Sequence, residues 1–327
     1  MTDDLGAVLV TGAGGAAAVT LILSLRGRAT VVAADIDPLA VGLYLVPESS
    51  RALLPRGDDP GFVDALLDCA RAHGATLVIP TVDVELLPVS LARERFAAEG
   101  IDLLVESPQT LRTCLDKAEL MRACAAAVRV PRTVIIDADT ADDQLQALGE
   151  PFIIKPRRGA GGRGFEIVAQ ASALRCPRDG TFLAQELLPG AEYSIDVLGR
   201  RDGHIVAAVP RSRDKVDSGI AVAGRTVADP ELVAFGRAVG QAIGVVGVVN
   251  VQVKRTADGE PALLEVNARF PGTMAQTQAA GIDMPVLAVS GVRGAALPDE
   301  LPFAEVAVVR HWAEVVVPVQ EYGRIRT

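Results

Sequence analysis

The chain has 327 residues, of which 50% are hydrophobic and 22% charged, and this composition excludes an intrinsically disordered protein. Its length provides for two or three packed domains. The formal net charge of −9 argues against duplex nucleic acid as a partner, because phosphate binding needs a basic surface. The four cysteines form no C-x-x-C pair, so a zinc site has no support and we expect free thiols in a reducing cytoplasm.

The first long apolar stretch, residues 5–25, contains no charge and is comparable in length to a membrane span. Four glycines interrupt it, and two aspartates precede it where a secretory signal would carry basic residues. We therefore predict no membrane span, and instead a buried strand at residues 7–11 followed by a helix at 15–26.

Short apolar runs alternate with helical stretches through the first 110 residues, which predicts an α/β domain with a parallel sheet. After Pro108 the pattern changes to α+β character. The predicted strands are residues 7–10, 30–34, 77–80, 103–106, 133–136, 152–156, 166–168 and 182–186, and further antiparallel strands extend to residue 268. The absence of internal repeats and long linkers predicts that the domains pack closely.

A glycine-rich turn, V-L-V-T-G-A-G-G at residues 8–15, joins the first strand to the first helix. Such a turn, with Asp35 at the end of the next strand, is typical of a dinucleotide site in which a pyrophosphate approaches a helix N-terminus. The G-x-G-x-x-G spacing is incomplete, because Ala17 occupies the third position. The alternative is that the turn only connects the strand to the helix.

The segment T-V-D-V-E, residues 81–85, follows the third apolar strand, where ligands of open parallel sheets tend to bind. Asp83 and Glu85 are therefore candidates to face an amine. The alternative is an ordinary solvated loop.

A second glycine-rich segment follows the predicted strand F-I-I-K-P, residues 152–156. Its glycines would form a mobile hairpin tip whose amides can close over a polyphosphate, and two arginines add positive charge there. Lys155, at the end of the strand, is predicted to contact phosphate. The residues of the tip are Arg158, Gly159, Gly161, Gly162, Arg163 and Gly164.

The chain contains four lysines, so each one can be considered by itself. Lys117 stands at a predicted helix start, where the helix dipole favours acidic residues. A bound anion would explain a cation at this position.

The strand at residues 182–186 leads into the sequence L-L-P-G-A-E. Main-chain groups of Glu186 and Leu188 are candidates to hydrogen-bond an adenine edge, and the carboxylate of Glu192 can accept both ribose hydroxyls. Taken alone, the segment is an ordinary turn with an exposed acid, and the nucleotide interpretation gains weight only beside Lys155.

The most specific pattern is a predicted hairpin with the arms G-V-V-N-V-Q-V-K, residues 247–254, and L-L-E-V-N-A-R-F, residues 263–270. Polar residues alternate with apolar ones along both arms, so the polar side chains share one face. Leu264 and Val266 belong to the apolar face in this assignment. The dipeptide Asp-Gly at 258–259 predicts a two-residue turn.

This turn sets the register of the hairpin and brings four polar side chains together, with Gln252 opposite Glu265 and Asn250 opposite Asn267. Oxygen donors of this kind suit a hard cation, and Mg²⁺ usually takes few protein ligands while it keeps sites for water and substrate phosphates. The alternative is a solvated polar face, although such a face would normally contain Lys, Thr and Ser as well. The pattern therefore predicts a magnesium site.

Together these residues resemble the ATP-grasp superfamily, and most closely its carbamoyl-phosphate-synthetase-like branch. The resemblance extends over nearly the whole chain, through Lys117, F-I-I-K-P, the glycine loop, Q-E-L-L-P-G-A-E, N-V-Q and L-L-E-V-N-A-R-F. It implies an α/β N-terminal domain with a parallel sheet, the pre-ATP-grasp domain, at residues 1–112. An α+β ATP-grasp domain would follow, with a small lid subdomain at 113–184 and a larger antiparallel-sheet subdomain at 185–327.

The resemblance also implies roles for individual residues. Arg269 and Lys155 would stabilise the transferred phosphoryl or acyl-phosphate oxygens, and Arg211 and Arg213 match a region that faces the phosphoryl acceptor in the family. The family often has proline where this chain has Ala268. The implied ATP-binding residues are Lys117, Lys155, Gly159, Gly161, Gly162, Gly164, Gln185, Glu186, Leu188 and Glu192, and the implied magnesium ligands are Gln252, Glu265 and Asn267.

The implied reaction is activation of a carboxylate by ATP to an acyl phosphate, followed by attack of an amine and release of ADP and phosphate. The expected cofactors are ATP and two magnesium ions, and the expected partners are a small carboxylate and an amine, such as amino acids, in the cytoplasm. Bicarbonate as the acid stays open, and so does assembly as a homodimer.

Two alternatives come from other classes of protein. One is an NAD(P)-dependent oxidoreductase that uses the N-terminal glycine turn, which would leave the polar face of the hairpin without a purpose. The other is a non-catalytic nucleotide-binding protein.

Overall fold

The protein begins with a sheet whose neighbouring strands are all parallel, in the order β3-β2-β1-β4-β5. The structure is a computed structural model that describes residues 5–159, 164–217 and 219–325. The strands of this sheet are β1 (Ala7–Val10), β2 (Thr30–Asp35), β3 (Arg51–Leu53), β4 (Leu77–Ile79) and β5 (Asp102–Leu103). The parallel α/β domain predicted from the alternating pattern is confirmed.

Both faces of this sheet are buried, as expected for parallel strands covered by helices. In β1, Val8 and Val10 pack into one core cluster and Leu9 packs into another on the opposite face. The helices of this region are α1 (Ala16–Leu25), α2 (Phe62–Ala72), α3 (Asp83–Leu91), α4 (Arg93–Ala98), α5 (Pro108–Leu115) and α6 (Lys117–Cys124).

The edge of the sheet differs from the sequence prediction. The strand predicted at residues 103–106 is only two residues long, at Asp102–Leu103, where it pairs with β4. The Arg93 guanidinium donates hydrogen bonds to the carbonyls of Leu103, at 3.0 Å, and Val105, at 2.6 Å. A side chain therefore takes the place of a further strand along this edge. Strand β3, at the other edge, was not predicted.

A second, antiparallel sheet follows in the order β6-β9-β7-β8. It is built from β6 (Thr133–Ile136), β7 (Phe152–Pro156), β8 (Glu166–Val168) and β9 (Phe182–Glu186), with helix α7 (Asp142–Gln146) between the first two strands. Ile136, Leu145 and Phe152 are fully buried in a small core of their own. We call residues 133–186 the lid subdomain, a narrower range than the 113–184 predicted from the sequence, because α6 packs with the core of the last subdomain instead.

The rest of the chain forms a four-stranded antiparallel sheet, β11-β10-β14-β15, and a three-stranded sheet, β12-β13-β16. The four-stranded one is called the central sheet. The elements are β10 (Glu192–Gly199), β11 (Ile205–Ser212), β12 (Lys215–Asp217), β13 (Ile220–Arg225), α8 (Pro230–Ile243), β14 (Val248–Arg255), β15 (Pro261–Asn267), α9 (Ala275–Ala279), α10 (Met284–Val292) and β16 (Ala307–Val309).

The two faces of the central sheet differ in polarity. Val249, Val251 and Val253 of β14 point to the side on which α8 packs, and all three are fully buried. The intervening positions, Asn250 and Gln252, lie on the opposite face. Period-two alternation thus places the polar residues of the hairpin toward the lid subdomain and the N-terminal domain.

Within the described ranges, no helix is both long enough and apolar enough to cross a bilayer. The four cysteines are free thiols.

Candidate active site

A cleft of about 940 Å³ lies between the N-terminal domain, the lid subdomain and the polar face of the central sheet. All three regions contribute side chains to it. The described residues that line it include Val82, Asp83, Val84, Lys117, Lys155, Gly159, Gln185, Glu186, Leu188, Glu192, Arg213, Asn250, Gln252, Lys254, Leu264, Glu265, Asn267, Arg269 and Thr273. Most of the site residues predicted from the sequence therefore meet in one place.

The β14–β15 hairpin shows the predicted pairing, with Gln252 opposite Glu265 and Asn250 opposite Asn267. The predicted two-residue turn is wrong. The Thr256 amide donates to the Glu260 carbonyl at 2.8 Å, so the loop has three residues, and its last position is a glycine with a φ of 85°. A β-bulge between the turn and the site shifts the register back by one residue, so the two errors cancel.

The extra residue of this bulge is Leu264. Because a bulge sets two successive residues against one, Leu263 is buried in the core and Leu264 lies half-buried in the cleft. The assignment of Leu264 to the apolar face is therefore wrong. Its carbonyl accepts a hydrogen bond from Lys155 Nζ at 3.4 Å, so the bulge helps to place the lysine.

Lys117 is the first residue of α6, as predicted, and the preceding Asp116 caps the helix by accepting hydrogen bonds from the amides of Ala118, at 3.1 Å, and Glu119, at 3.3 Å. This cap was not predicted, although Asp followed by Glu three residues later is a helix-start signal. Lys117 is nine-tenths buried, and its Nζ donates to the Gly159 carbonyl at 2.8 Å. Burial lowers the pKa of Lys117, while the charges of Glu265 and Asp116 act in the opposite direction.

Burial also lowers the pKa of Lys155, to about 8, and the charge of Lys117 acts in the same direction. Glu265 opposes both effects. Two ammonium groups within electrostatic range of one carboxylate leave an excess of positive charge in a largely desolvated place. This part of the cleft is suited to a polyanion.

The base of the second glycine segment is fixed to the start of α6. The Asp116 carboxylate pairs with Arg157 at 2.8 Å and Arg158 at 3.4 Å, and the Lys117 amide donates to the Arg157 carbonyl at 3.0 Å. Gly159 has a φ of 134°, and a Cβ there would meet no atom of the described residues within 4 Å. Of the predicted glycines, Gly161 and Gly162 lie outside the described residues, as does Arg163; Gly164 has a φ of 76°.

The predicted adenine segment lies at the lid side of the cleft. Gln185 is buried and donates to the Thr133 hydroxyl at 2.8 Å. The Glu186 carboxylate pairs with Arg132 at 2.8 Å and Arg129 at 3.3 Å. Because its side chain is held by the two arginines, Glu186 can offer only main-chain atoms to a ligand.

Glu192 begins β10 and pairs with Arg213 Nε at 2.9 Å. The same guanidinium donates to the Ser194 hydroxyl at 3.4 Å and to the Gly219 carbonyl at 3.1 Å. The Glu192 side chain is 35% exposed, so it is accessible to a ligand, whereas Arg213 is 13% exposed and mainly holds that carboxylate.

Arg211 does not face the cleft, so its prediction as a catalytic residue is corrected here. The side chain is fully buried and pairs with Asp196 at 2.6 Å. Its other terminal nitrogen donates to Thr273 Oγ1 at 2.6 Å and Gln276 Oε1 at 3.2 Å. The segment that follows the hairpin covers this end of the polar face, a tertiary contact that strand periodicity does not reveal.

The oxygen donors predicted for a metal are close together. Glu265 Oε1 accepts a hydrogen bond from Asn267 Nδ2 at 3.3 Å, and Gln252 lies across the strand pair from Glu265. The Asn250 amide nitrogen donates to the buried Asp196 at 2.9 Å. No group of three or more His, Cys, Asp or Glu side chains suited to a metal occurs among the described residues. One carboxylate with amide oxygens fits Mg²⁺, which keeps positions for water and phosphate oxygens.

Arg269 lies two residues beyond β15 and forms a two-pronged ion pair with Asp83, from Nε at 2.7 Å and from Nη2 at 3.0 Å. Asp83 is the first residue of α3 rather than part of a loop. The pair links the N-terminal domain to the central sheet across the cleft.

The N-terminal glycine turn is filled by the protein itself. Gly12 has a φ of 61°, and a Cβ there would lie 2.5 Å from Val82 Cγ2 and 2.8 Å from Thr81 Oγ1. Glu85 is buried beside the turn and accepts a hydrogen bond from the Thr11 hydroxyl, so it neither faces an amine nor lies in a solvated loop. The glycine serves close packing, which leaves the oxidoreductase alternative without support.

Two family models match the chain, "PylC-like, N-terminal domain" over residues 8–104 and "ATP-grasp in the biosynthetic pathway with Ter operon" over residues 178–315. The chain is therefore similar to an N-terminal domain of one kind and to an ATP-grasp domain after it. These matches confirm the resemblance to the ATP-grasp superfamily that was inferred from the residues.

Curated relatives agree with this family. The chain is 25% identical over 238 residues to the carbamoyl phosphate synthase large chain of Xanthomonas campestris, which covers 65% of this chain and 22% of that protein. It is 30% identical over 165 residues to the D-alanine–D-alanine ligase of Gloeobacter violaceus, which covers 42% of this chain and 53% of that protein. The chain thus spans between about a fifth and about half of the length of these relatives.

Solved structures share the fold. Biotin carboxylase from Campylobacter jejuni superposes with a TM-score of 0.75 at 18% identity, over 89% of this chain and 72% of that one. N5-carboxyaminoimidazole synthetase from Staphylococcus aureus gives 0.70 at 14% identity, over 93% and 81%. The predicted fold class, a parallel α/β domain before an ATP-grasp domain with antiparallel sheets, is confirmed.

Proposed function

We propose that this protein is an ATP-dependent carboxylate–amine ligase, which forms an amide bond through an acyl phosphate and releases ADP and phosphate. The observation that carries the proposal is the meeting of these groups in one cleft. Two lysines lie within electrostatic range of Glu265, and Arg269 pairs with Asp83 of the N-terminal domain. Nucleotide, metal, acid and amine would share this cleft.

Nucleotide binding is supported by the charges and by the solved relatives. Lys117 and Lys155 supply fixed positive charge for a polyphosphate, and Glu192 supplies an acceptor for hydroxyl groups. A related biotin carboxylase was solved as a β-γ-ATP complex and a related N5-carboxyaminoimidazole synthetase with ADP. The main chain at Glu186 and Leu188 would meet the adenine.

Gln252, Glu265 and Asn267 would hold Mg²⁺, for which we propose two ions, and the metal would supply positive charge against the transferred phosphoryl oxygens. Lys155 and Arg269 would add to that charge from the protein. Because these cations are fixed before the reaction, they need little reorganisation when charge develops.

In the first half-reaction, a carboxylate oxygen of the acid attacks the γ-phosphorus, the bond to the bridging oxygen breaks and ADP leaves. In the second, the neutral amine nitrogen attacks the carbonyl carbon, the bond to the phosphate oxygen breaks, and the leaving phosphate takes the proton that the nitrogen loses. Arg269 neutralises oxygens in both steps. The lid subdomain would exclude water, which would otherwise hydrolyse the acyl phosphate.

The test is a panel of amino-acid pairs incubated with ATP and Mg²⁺, with ADP and phosphate measured and products identified by mass. We expect ADP formation that depends on the pair and equals the amount of amide formed. Hydroxylamine in place of the amine should trap the acyl phosphate as a hydroxamate. Nucleotide binding without turnover for any pair would identify the non-catalytic alternative instead.

A matched pair of lysine variants connects the activity to the cleft. Lys155→Ala should lower kcat/KM for ATP by at least about 100-fold, because it removes a desolvated cation from the phosphate position. Lys215→Ala removes an exposed lysine of β12 outside the cleft and should retain the wild-type rate. Equal rates in both variants would contradict the assignment.

A further inference from the structure

The ion pair between Asp83 and Arg269 is the point at which the N-terminal domain takes part in the chemistry of the cleft. Its side chains are 28% and 22% exposed, so the pair is half-buried but reachable. Of the described residues before 113, only Val82, Asp83 and Val84 line the cleft. Asp83 is therefore the one charged group that this part of the chain contributes.

In this ion pair, Asp83 and Arg269 bind each other with the same polar atoms that the proposed reaction would need. Both carboxylate oxygens of Asp83 accept from Arg269, at 2.7 and 3.0 Å, and the remaining Nη1 donates to the Phe270 carbonyl at 3.4 Å. Arg269 cannot bind an acyl phosphate fully while both prongs are held by Asp83. An activated acid must therefore draw the guanidinium away.

Drawing Arg269 away leaves a half-buried carboxylate without its partner, which is costly unless another cation replaces it. An amine in its ammonium form is such a cation. Val82 and Val84 are 38% and 51% exposed on either side of Asp83, so they offer apolar contact to the carbon atoms attached to an ammonium group. The acid and the amine together supply one negative and one positive charge, as the pair requires.

We propose that the substrates exchange this ion pair: the amine binds to Asp83 as an ammonium group, and Arg269 passes to the activated acid. The ammonium group gives one proton to the Asp83 carboxylate, and the neutral nitrogen then attacks the acyl carbon. The inference rests on the proposed ligase function and narrows it, because it assigns the second substrate to the class of protonated primary amines. Arg269 then acts as an internal competitor of the amine. Binding of the acid and of the amine are coupled, since each releases one half of the pair.

Because Arg269 competes with the amine for Asp83, substitutions of Asp83 and of Arg269 should change the Kd of the amine in opposite directions. The probe is the amine that the product panel identifies, and its Kd is measured by titration calorimetry on the protein without nucleotide. Asp83→Asn should raise the Kd at least tenfold, because the anionic partner is lost. Arg269→Ala should lower the Kd three- to tenfold, although its turnover falls, because Asp83 is then free. The double variant should bind the amine as weakly as Asp83→Asn.

A purely structural role for the pair would weaken amine binding in both single variants. A Kd in Arg269→Ala at or above the wild-type value therefore overturns the exchange, and so does a Kd in Asp83→Asn within twofold of wild type. Glu192→Gln is the matched control, since it breaks the other arginine–carboxylate pair of the cleft and should raise the KM for ATP rather than the Kd of the amine. No coupled product from the wild-type protein would overturn the ligase function itself, which is a separate outcome.

Discussion

The polar face of the central sheet has two ends that differ in what covers them. At one end, Asp196 is fully buried and accepts hydrogen bonds from Arg211 at 2.6 Å, Asn250 at 2.9 Å and Thr277 at 2.6 Å. At the other end, Glu265 accepts one hydrogen bond among the described contacts, from Asn267 at 3.3 Å. Neighbouring rows of one sheet thus hold a buried carboxylate with three described hydrogen bonds and a half-buried carboxylate with one.

This difference in cover separates polar residues that stabilise the fold from polar residues that a ligand can reach. Thr273, Gln276 and Thr277 close over the covered end and form hydrogen bonds with Arg211 or Asp196, so the charges there hold that segment in place. Arg211 Nε and Gln276 Nε2 are buried at this end without a partner among the described residues. The open end keeps its acceptors for something that the chain does not provide. Substitutions at the covered end should therefore affect stability, and substitutions at the open end should affect turnover.

The largest expected effect is at the covered end. Arg211→Met leaves the Asp196 carboxylate buried without its cation, and we expect the free energy of unfolding to fall by about 3–5 kcal/mol. Urea denaturation followed by circular dichroism measures the change.

Arg213→Met is the control, because it is the same substitution two residues along the chain. Its partner Glu192 is 35% exposed, so we expect a loss below about 1 kcal/mol. Equal losses of unfolding free energy in the two variants would contradict the distinction between the two ends.

At the open end, a substitution should lower turnover and leave the free energy of unfolding nearly unchanged. Glu265→Gln removes the charged member of the proposed magnesium ligands, and we expect kcat/KM to fall by about 10²–10³-fold while the free energy of unfolding changes by less than about 0.5 kcal/mol. ADP formation and urea denaturation of the same preparation measure both quantities. Glu260→Gln, at the exposed end of the hairpin loop, should leave both near wild type. A large loss of stability in Glu265→Gln would show that this carboxylate belongs to the fold.

The sequence predicted the open end well because strand alternation is a local rule. The pairing of Gln252 with Glu265 emerged from a turn that was wrong by one residue and a bulge at Leu264 that restored the register. The bulge has no sequence signal of its own here, since leucine is common in regular strands. The pairing of these residues was therefore predicted correctly through two errors that cancelled.

The covered end could not be predicted, because it depends on contacts between residues far apart in the chain. Arg211 and Thr273 are 62 positions apart, and nothing in the strand pattern indicates that a loop closes over the arginine. The packing of Gly12 could not be predicted for the same reason. The glycine-rich pattern around it suggests a bound ligand, but in the structure its neighbour is Val82. Local patterns show which residues share a face, and only tertiary packing shows whether that face is covered.

A smaller effect is the dependence of the KM for ATP on pH. Lys155 at the open end has a pKa lowered to about 8, mainly by burial, so it is protonated below that pH and neutral above it. We expect the KM for ATP to rise by about tenfold between pH 7 and pH 9 as this cation is lost. Lys155→Arg should show a flatter profile, because arginine stays protonated in this range. A wild-type KM that is constant up to pH 9 would contradict the assignment of Lys155 to phosphate.

The smallest effect concerns a buried carboxyl that, unlike Asp196, has no cationic partner in its described contacts. Burial raises the pKa of Glu85 to about 7, the nearby charge of Asp35 acts in the same direction, and the Thr11 hydroxyl opposes both. Between pH 4.5 and 7 the folded protein keeps a proton that the unfolded chain releases, so Glu85 lowers stability as pH rises through this window. Glu85→Gln cannot ionise and should be about 1–2 kcal/mol more stable than wild type at pH 8, with little difference at pH 5. Glu94→Gln, exposed on α4, is the control and should change the free energy of unfolding by the same small amount at both pH values. A change in Glu85→Gln that is equally independent of pH would show that the Glu85 carboxyl finds a partner despite its burial.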